Sequence, residues 1–248
     1  MTATTHYPND PTQSFSHIFE GWSVWLEPCP ETSKDIFDEC SHLQRKCGGP
    51  ARGVYTIIPH CTLLYNIVPP ISPSSSSSRG SCGNSGEQEQ EKAMDLLYEA
   101  KQLFQSQRQA MLNKEMQHSS HSLHFFVPTS FHYMHYPKSA DHGKGFGCSI
   151  SMLLLEKSKW LVDLQRAVKQ VFPPDERHSG GGSGSDNYSP HMAFVYAPEC
   201  YGTWLKNYTE KEIPQHLLRP FDAKHLSVWS TRGETKDWYR IAILPVEG

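Results

Sequence analysis

Two short stretches decide how this chain is read: Pro59-His60-Cys61-Thr62-Leu63-Leu64-Tyr65 and Pro190-His191-Met192-Ala193-Phe194-Val195-Tyr196. Both follow the pattern Pro-His-x-(small)-apolar-apolar-Tyr, and they lie in opposite halves of a 248-residue chain. The echo predicts two similar lobes. Each stretch is bulky and apolar enough for a β-strand, in which successive side chains alternate faces. That parity puts His60, Thr62 and Leu64 on one face, and Cys61, Leu63 and Tyr65 on the other. In the second stretch it separates His191 and Ala193 from Met192, Phe194 and Tyr196. The two tyrosines are therefore expected to pack in the core.

Working outward, Trp22 to Leu26 reads as a strand ending at Pro28. Residues 31–46 read as a helix with Ile36, Phe37, Cys40 and Leu43 on one face, stopped by Gly48-Gly49-Pro50. Residues 54–68 are β-rich and broken at Pro59. A long helix is expected from Glu91 to about Gln117, on the spacing of Met94, Leu97, Ala100, Leu103, Phe104 and Met111. Strands are expected at 122–127 and 146–155, a helix at 158–172, a strand from Tyr188 to Ala197 and a short helix near 201–212. Two closing strands, 225–229 and 238–244, are joined by a turn around Gly233. Residues 1–19 are polar and irregular and are expected to be a disordered tail. The stretches 71–90 (ISPSSSSSRGSCGNSGEQEQ) and 178–187 are Ser- and Gly-rich, and are expected to be flexible loops. The rest, 20–248, is expected to be one domain. Its fold class is α+β: bilobal, with two pseudo-symmetric lobes, each a twisted antiparallel sheet with outer helices, around a central cleft.

Composition narrows the function. The formal net charge is −3, whereas a broad grip on nucleic-acid backbone shows as a basic face. A small anion held at one local site is compatible with that balance. The cysteines, at positions 29, 40, 47, 61, 82, 148 and 200, are odd in number and form no Cys-x-x-Cys pair. Neither a disulfide framework nor a zinc ribbon fits them. No apolar run approaches the ~20 residues of a membrane helix, and MTATTHYPNDPTQSF lacks the basic-then-apolar pattern of a secretory signal. The expectation is a soluble, cytoplasmic monomer that engages neither membrane nor extended nucleic acid.

Two imidazoles facing one another across a cleft suit one class of chemistry. A neutral ring takes the proton of an attacking water, and a protonated one gives a proton to the leaving oxygen. With an unperturbed pKa near 6.5, both forms coexist near neutrality. A hydroxyl two residues on can meet the non-bridging phosphate oxygens, where charge builds in the transition state.

The paired His-x-Thr-apolar and His-x-(small)-apolar segments resemble the signature of the two-histidine (2H) phosphoesterases, closest to the fungal and plant cyclic phosphodiesterases. The resemblance extends to Trp22-Ser23-Val24-Trp25-Leu26-Glu27-Pro28, to Leu226-Ser227-Val228-Trp229 and to Trp238-Tyr239-Arg240-Ile241-Ala242. It spans roughly residues 21–246, with 71–90 and parts of 115–145 as insertions. It implies a bilobal α+β fold and hydrolysis, without metal or other cofactor, of a cyclic phosphate on ribose. The implied substrates are ADP-ribose 1″,2″-cyclic phosphate, which arises after tRNA splicing, and nucleoside 2′,3′-cyclic phosphates. By position, His60 and His191 are the implied catalytic pair and Thr62 a phosphate ligand. Ala193 occupies the second phosphate-binding position and lacks the family hydroxyl.

Plainer readings compete. A lone His60 is ordinarily a half-buried strand histidine, and strands favour Thr62 regardless of any ligand. His132, His135 and His142 suggest a metal, but positions three apart in a strand face opposite ways. Gly143-Lys144-Gly145 lacks the spacing of a phosphate loop and reads as a turn, with Lys144 in reach of the cleft. The alternative function is a degenerate 2H protein that binds a cyclic or terminal phosphate without turnover. Ala193 favours it, and the two retained histidines favour the enzyme. An RNA-end-processing relative is disfavoured by the acidic balance.

Overall fold

Strand β1 (Trp22–Pro28) is the axis of the first half of the molecule. Its alternation sends Trp22, Val24 and Leu26 into the main core and turns Ser23, Trp25 and Glu27 to the opposite side of the sheet. A computed structural model describes residues 21–69 apart from 53 and 56, and residues 85–115, 125–136, 148–172, 188–232 and 235–246. The 1–19 tail, the 178–187 loop and most of 71–90 lie outside the described residues.

The remaining strands are β2 (Cys61–Ile67), β3 (Phe125–Phe126), β4 (Pro128–Tyr136), β5 (Cys148–Leu155), β6 (His191–Pro198), β7 (Phe221–Ser230) and β8 (Tyr239–Pro245). All described pairings are antiparallel, in the order β3-β7-β1-β2-β6-β5-β4, with β8 also on β7. The two halves, β7-β1-β2 and β6-β5-β4, meet at one register pair, Cys61 opposite Met192. The fold is thus α+β with two related lobes, and the histidine-bearing strands are the ones that form the seam.

Among the described residues, four helices cover one side: α1 (Lys34–Lys46), α2 (Ser85–Glu115), α3 (Lys159–Val171) and α4 (Gly202–Lys211). Two of them, α1 and α3, cross the seam. Helix α1, which follows β1, lies on β6; α3, which follows β5, lies on β2 and α2. Their apolar stripes, among them Ile36, Cys40 and Leu43 on α1 and Leu161, Leu164 and Val168 on α3, close one continuous core. Each large side chain buried there contributes roughly 1.5–3 kcal/mol. That shared core holds the seam together where the sheet contributes little. No described helix is long and apolar enough to cross a membrane.

Helix α2 begins at Ser85 rather than Glu91. The Trp22 indole N–H donates to the Glu89 carboxylate at 2.9 Å, a tertiary contact that ties the polar first turns to β1. Strand β4 was not expected from sequence. It is the far edge of the sheet, paired only with β5 among the described strands, and edge strands tolerate the polar Thr, Ser and His residues it carries.

The chain enters β1 through Gly21 at φ 100°, where a Cβ would stand 2.3 Å from the Ile67 carbonyl oxygen. Gly21→Ala should cost about 2 kcal/mol in backbone strain, measured as a drop in the urea or thermal midpoint. An unchanged midpoint would show that the chain enters β1 in another conformation.

Candidate active site

Both histidine strands carry a bulge at the same place in their motif. Val24 stands opposite Leu64 while Trp25 stands opposite Thr62, so Leu63 is an extra residue on β2, and a second shift beyond Leu64 returns Ile67 to the core. Ser151 stands opposite Val195 while Met152 stands opposite Ala193, so Phe194 is the extra residue on β6. An extra residue flips the parity of everything beyond it. Leu63 and Leu64 are both buried in the main core, as are Phe194 and Val195. Tyr65 and Tyr196 thereby come to the histidine side. Strict alternation had placed Leu64 beside His60 and the tyrosines in the core; the bulges overturn both assignments.

The resulting cleft is shallow and open to solvent. His60, Thr62, Ser23 and Thr231 supply its polar lining, and Trp25, Tyr65, Tyr196 and Trp238 its aromatic lining. Ser23 and Thr231 hydroxyls lie 3.0 Å apart.

His60 immediately precedes β2 and is 5% exposed. Its ring lies flat on Trp25, with centroids 3.5 Å apart and planes 7° from parallel. Nδ1 is 2.7 Å from the Ile58 carbonyl oxygen. A carbonyl only accepts, so Nδ1 carries the proton, and Nε2 is the acceptor of the neutral ring. Burial pushes the His60 pKa down to about 3, against the opposing pull of the Ile58 carbonyl, and the nearby His191 lowers it further.

His191 opens β6, half-buried, and repeats this geometry: its Nδ1 is 2.9 Å from the Ser189 carbonyl oxygen. Extending the Cys61–Met192 register by one residue sets Thr62 beside His191 and His60 beside Ala193. The histidines are then diagonal neighbours on one face, at a spacing of roughly 7–8 Å. Cys61, between them in register but on the other face, is buried, and its thiol is pushed up to about 11, chiefly by that burial.

The structure thus brings His60 and Thr62 into one cleft with His191 near by. Ala193 lies on the same face, beside His60 in register, but offers only a methyl group. It is half-buried against an apolar group formed by Cys148, Ile150 and Met152, which Met134, Leu154 and Tyr196 also join. Residues that sequence reasoning left out of the site are Ser23, Trp25, Tyr65, Tyr196, Thr231 and Trp238. The doubled apolar position before each tyrosine was the available signal, since two adjacent core residues in a strand imply a bulge.

Among the described residues, no other histidine lines the cleft. His132 and His135 alternate to opposite faces of β4. His135 instead stands 3.5 Å from the Glu199 carboxylate and 3.4 Å from the Ser149 hydroxyl. His142 and Lys144 lie outside the described residues. Among the described residues, no three His, Cys, Asp or Glu side chains gather as metal ligands would.

No family model and no curated protein matches the chain. Solved structures do show similarity. E. coli LigT complexed with phosphate is 11% identical, over 92% of this chain and 97% of that one, with a TM-score of 0.39. Kluyveromyces marxianus Usb1 with uridine monophosphate is 10% identical, over 89% of this chain and 97% of that one, with a TM-score of 0.42.

Proposed function

We propose that this protein hydrolyses a cyclic phosphate on ribose, either ADP-ribose 1″,2″-cyclic phosphate or a nucleoside 2′,3′-cyclic phosphate, by a two-histidine acid–base mechanism without a cofactor. One observation carries the reading. Two imidazoles from the two seam strands each have Nδ1 tied to the carbonyl two residues earlier. Each ring therefore has Nε2 left for chemistry.

Burial keeps the His60 ring neutral, so its Nε2 is unprotonated and takes the base role, as a weak base. Its Nε2 takes the proton of a water whose oxygen bonds to phosphorus. The bond from phosphorus to one ribose oxygen breaks, and His191 in its cationic form protonates that oxygen. The product is a phosphomonoester beside a free hydroxyl, and the proton gained by His60 is returned through solvent. Thr62 stabilises a non-bridging oxygen with its hydroxyl. The aromatic walls match the flat base of a nucleotide.

The test is a product assay. Purified protein is incubated with ADP-ribose 1″,2″-cyclic phosphate and the four 2′,3′-cyclic mononucleotides, and phosphorus NMR identifies the position of the remaining phosphate. No product from any of them, with binding still seen by calorimetry, would establish the second reading: a protein that holds the phosphate without turnover. The apolar surroundings of Ala193 favour that second reading.

Ala193→Ser discriminates further. A donor to a charge-gaining oxygen is worth ~2.7–4 kcal/mol in a well-organised site and ~0.5–1.5 kcal/mol in a partly solvated one. Ala193→Ser is expected to raise kcat/KM about ten-fold, between those limits. If neither Ala193→Ser nor Ala193→Thr is faster than the parent, position 193 does not serve the phosphate.

A further inference from the structure

Behind His60 lies a column of rings that ends on a buried carboxylate. His60 stacks on Trp25, and Trp25 stacks on Trp229 with centroids 4.5 Å apart and planes 22° from parallel. The Trp229 indole N–H is shared between Glu27 Oε1 at 3.1 Å and the Ser227 hydroxyl oxygen at 3.0 Å, and that hydroxyl is itself held by Glu27. Glu27 is 4% exposed, and its carboxylate also accepts from the Ser227 hydroxyl at 2.5 Å and from Arg240 at 3.1 Å. The Arg240 guanidinium lies 5.8 Å over the Trp229 ring. Glu27 shares its face of β1 with Trp25, and His225 stands opposite it on β7.

A buried carboxylate costs several kcal/mol in desolvation unless its oxygens are well satisfied, and here both oxygens are. A stacked indole alone slides easily in its plane, because dispersion is only weakly directional. A hydrogen bond at its edge removes that freedom. From these contacts we infer that Glu27 is a positioning residue for His60: it anchors Trp229, Trp229 backs Trp25, and Trp25 fixes the plane of the imidazole. The role rests on the reading of His60 as the base, and Glu27 itself touches no reacting atom.

Two variants and two readouts test this. Glu27→Leu removes the acceptor while keeping an apolar side chain of similar size; Glu27→Gln keeps an oxygen for the indole. The first readout is the proton NMR signal of the His60 ring, which ring current from the face-on indole shifts upfield. In Glu27→Leu that signal should move toward the position of an unstacked imidazole, and in Glu27→Gln it should stay near the wild-type position. The second is kinetics. Glu27→Leu should lower kcat about ten-fold or more with KM little changed, as misplacing a catalytic group does, and Glu27→Gln should recover most of that loss.

A folded Glu27→Leu protein with an unmoved His60 signal would overturn the inference, as would a fall in kcat that only follows a fall in melting temperature. The NMR arm needs no turnover. If the wild-type protein hydrolysed none of the cyclic phosphates, the proposed function would fail while the ring signal still decided whether Glu27 positions His60.

Discussion

Replacing either His60 or His191 with alanine is expected to lower kcat by at least ~10²-fold, the lower range for losing a positioned acid or base. The double variant should be scarcely slower than either single one, because acid and base act in the same step and neither works alone. The two positions differ in what else they remove. His60 is almost fully buried and stacked on Trp25, so its loss opens a hole beside an indole and lowers the melting temperature. His191 is half-buried, so its loss should leave stability nearly unchanged. Steady-state kinetics on the best substrate found, with melting curves alongside, separates the effects. Near-wild-type turnover in either single variant would defeat the two-histidine mechanism.

Lowering the pH should destabilise the protein through His60 well before the carboxylates protonate. The folded-state pKa of about 3 lies below the ordinary value near 6.5 that the unfolded chain restores. Only the unfolded chain binds the His60 proton between those two values. The stability tied to the neutral ring is therefore complete above about pH 6.5 and is lost progressively as the pH falls toward 3. At 1.36 kcal/mol per unit, the loss by pH 4 is about 3 kcal/mol. His60→Gln, which cannot take up a proton, should show a visibly flatter stability profile between pH 7 and 4 by urea unfolding. The same group sets the acid side of the activity profile. kcat/KM should hold at pH values where an ordinary imidazole base is already protonated, until unfolding intervenes. Equal slopes for parent and His60→Gln would mean that the ring is hydrated and titrates normally.

Much of the fold is legible in the chain because it depends on local pattern. Trp22 to Pro28 alternates strictly and forms β1 over those residues. The stripe of Leu161, Leu164 and Val168 has helical spacing and forms α3. Two strands that each begin Pro-His at matching places predicted related lobes, and those two strands form the seam. Local pattern also explains the misses. Strand β4 has one neighbour among the described strands and needs no continuous apolar face, so its sequence looks like a loop. The first turns of α2 are polar and are held by the distant Trp22.

The site divides the same way. The sequence by itself determined that two histidines recur in matching strand context, the first with a threonine two residues on, because composition and spacing within seven residues carry that information. Tertiary structure alone decided which groups surround them. A bulge is a mismatch between two strands, so the doubled Leu63-Leu64 is a hint within β2, but only the pairing with β1 decides that Leu63 is skipped and Tyr65 faces the cleft. The inequality of the two histidines is also tertiary. Both motifs place Nδ1 on the carbonyl two residues back, but only His60 lies under a stacked indole, fixed by β7 from the far end of the chain. Burial is a property of what packs over a residue, and a chain read one segment at a time does not contain it.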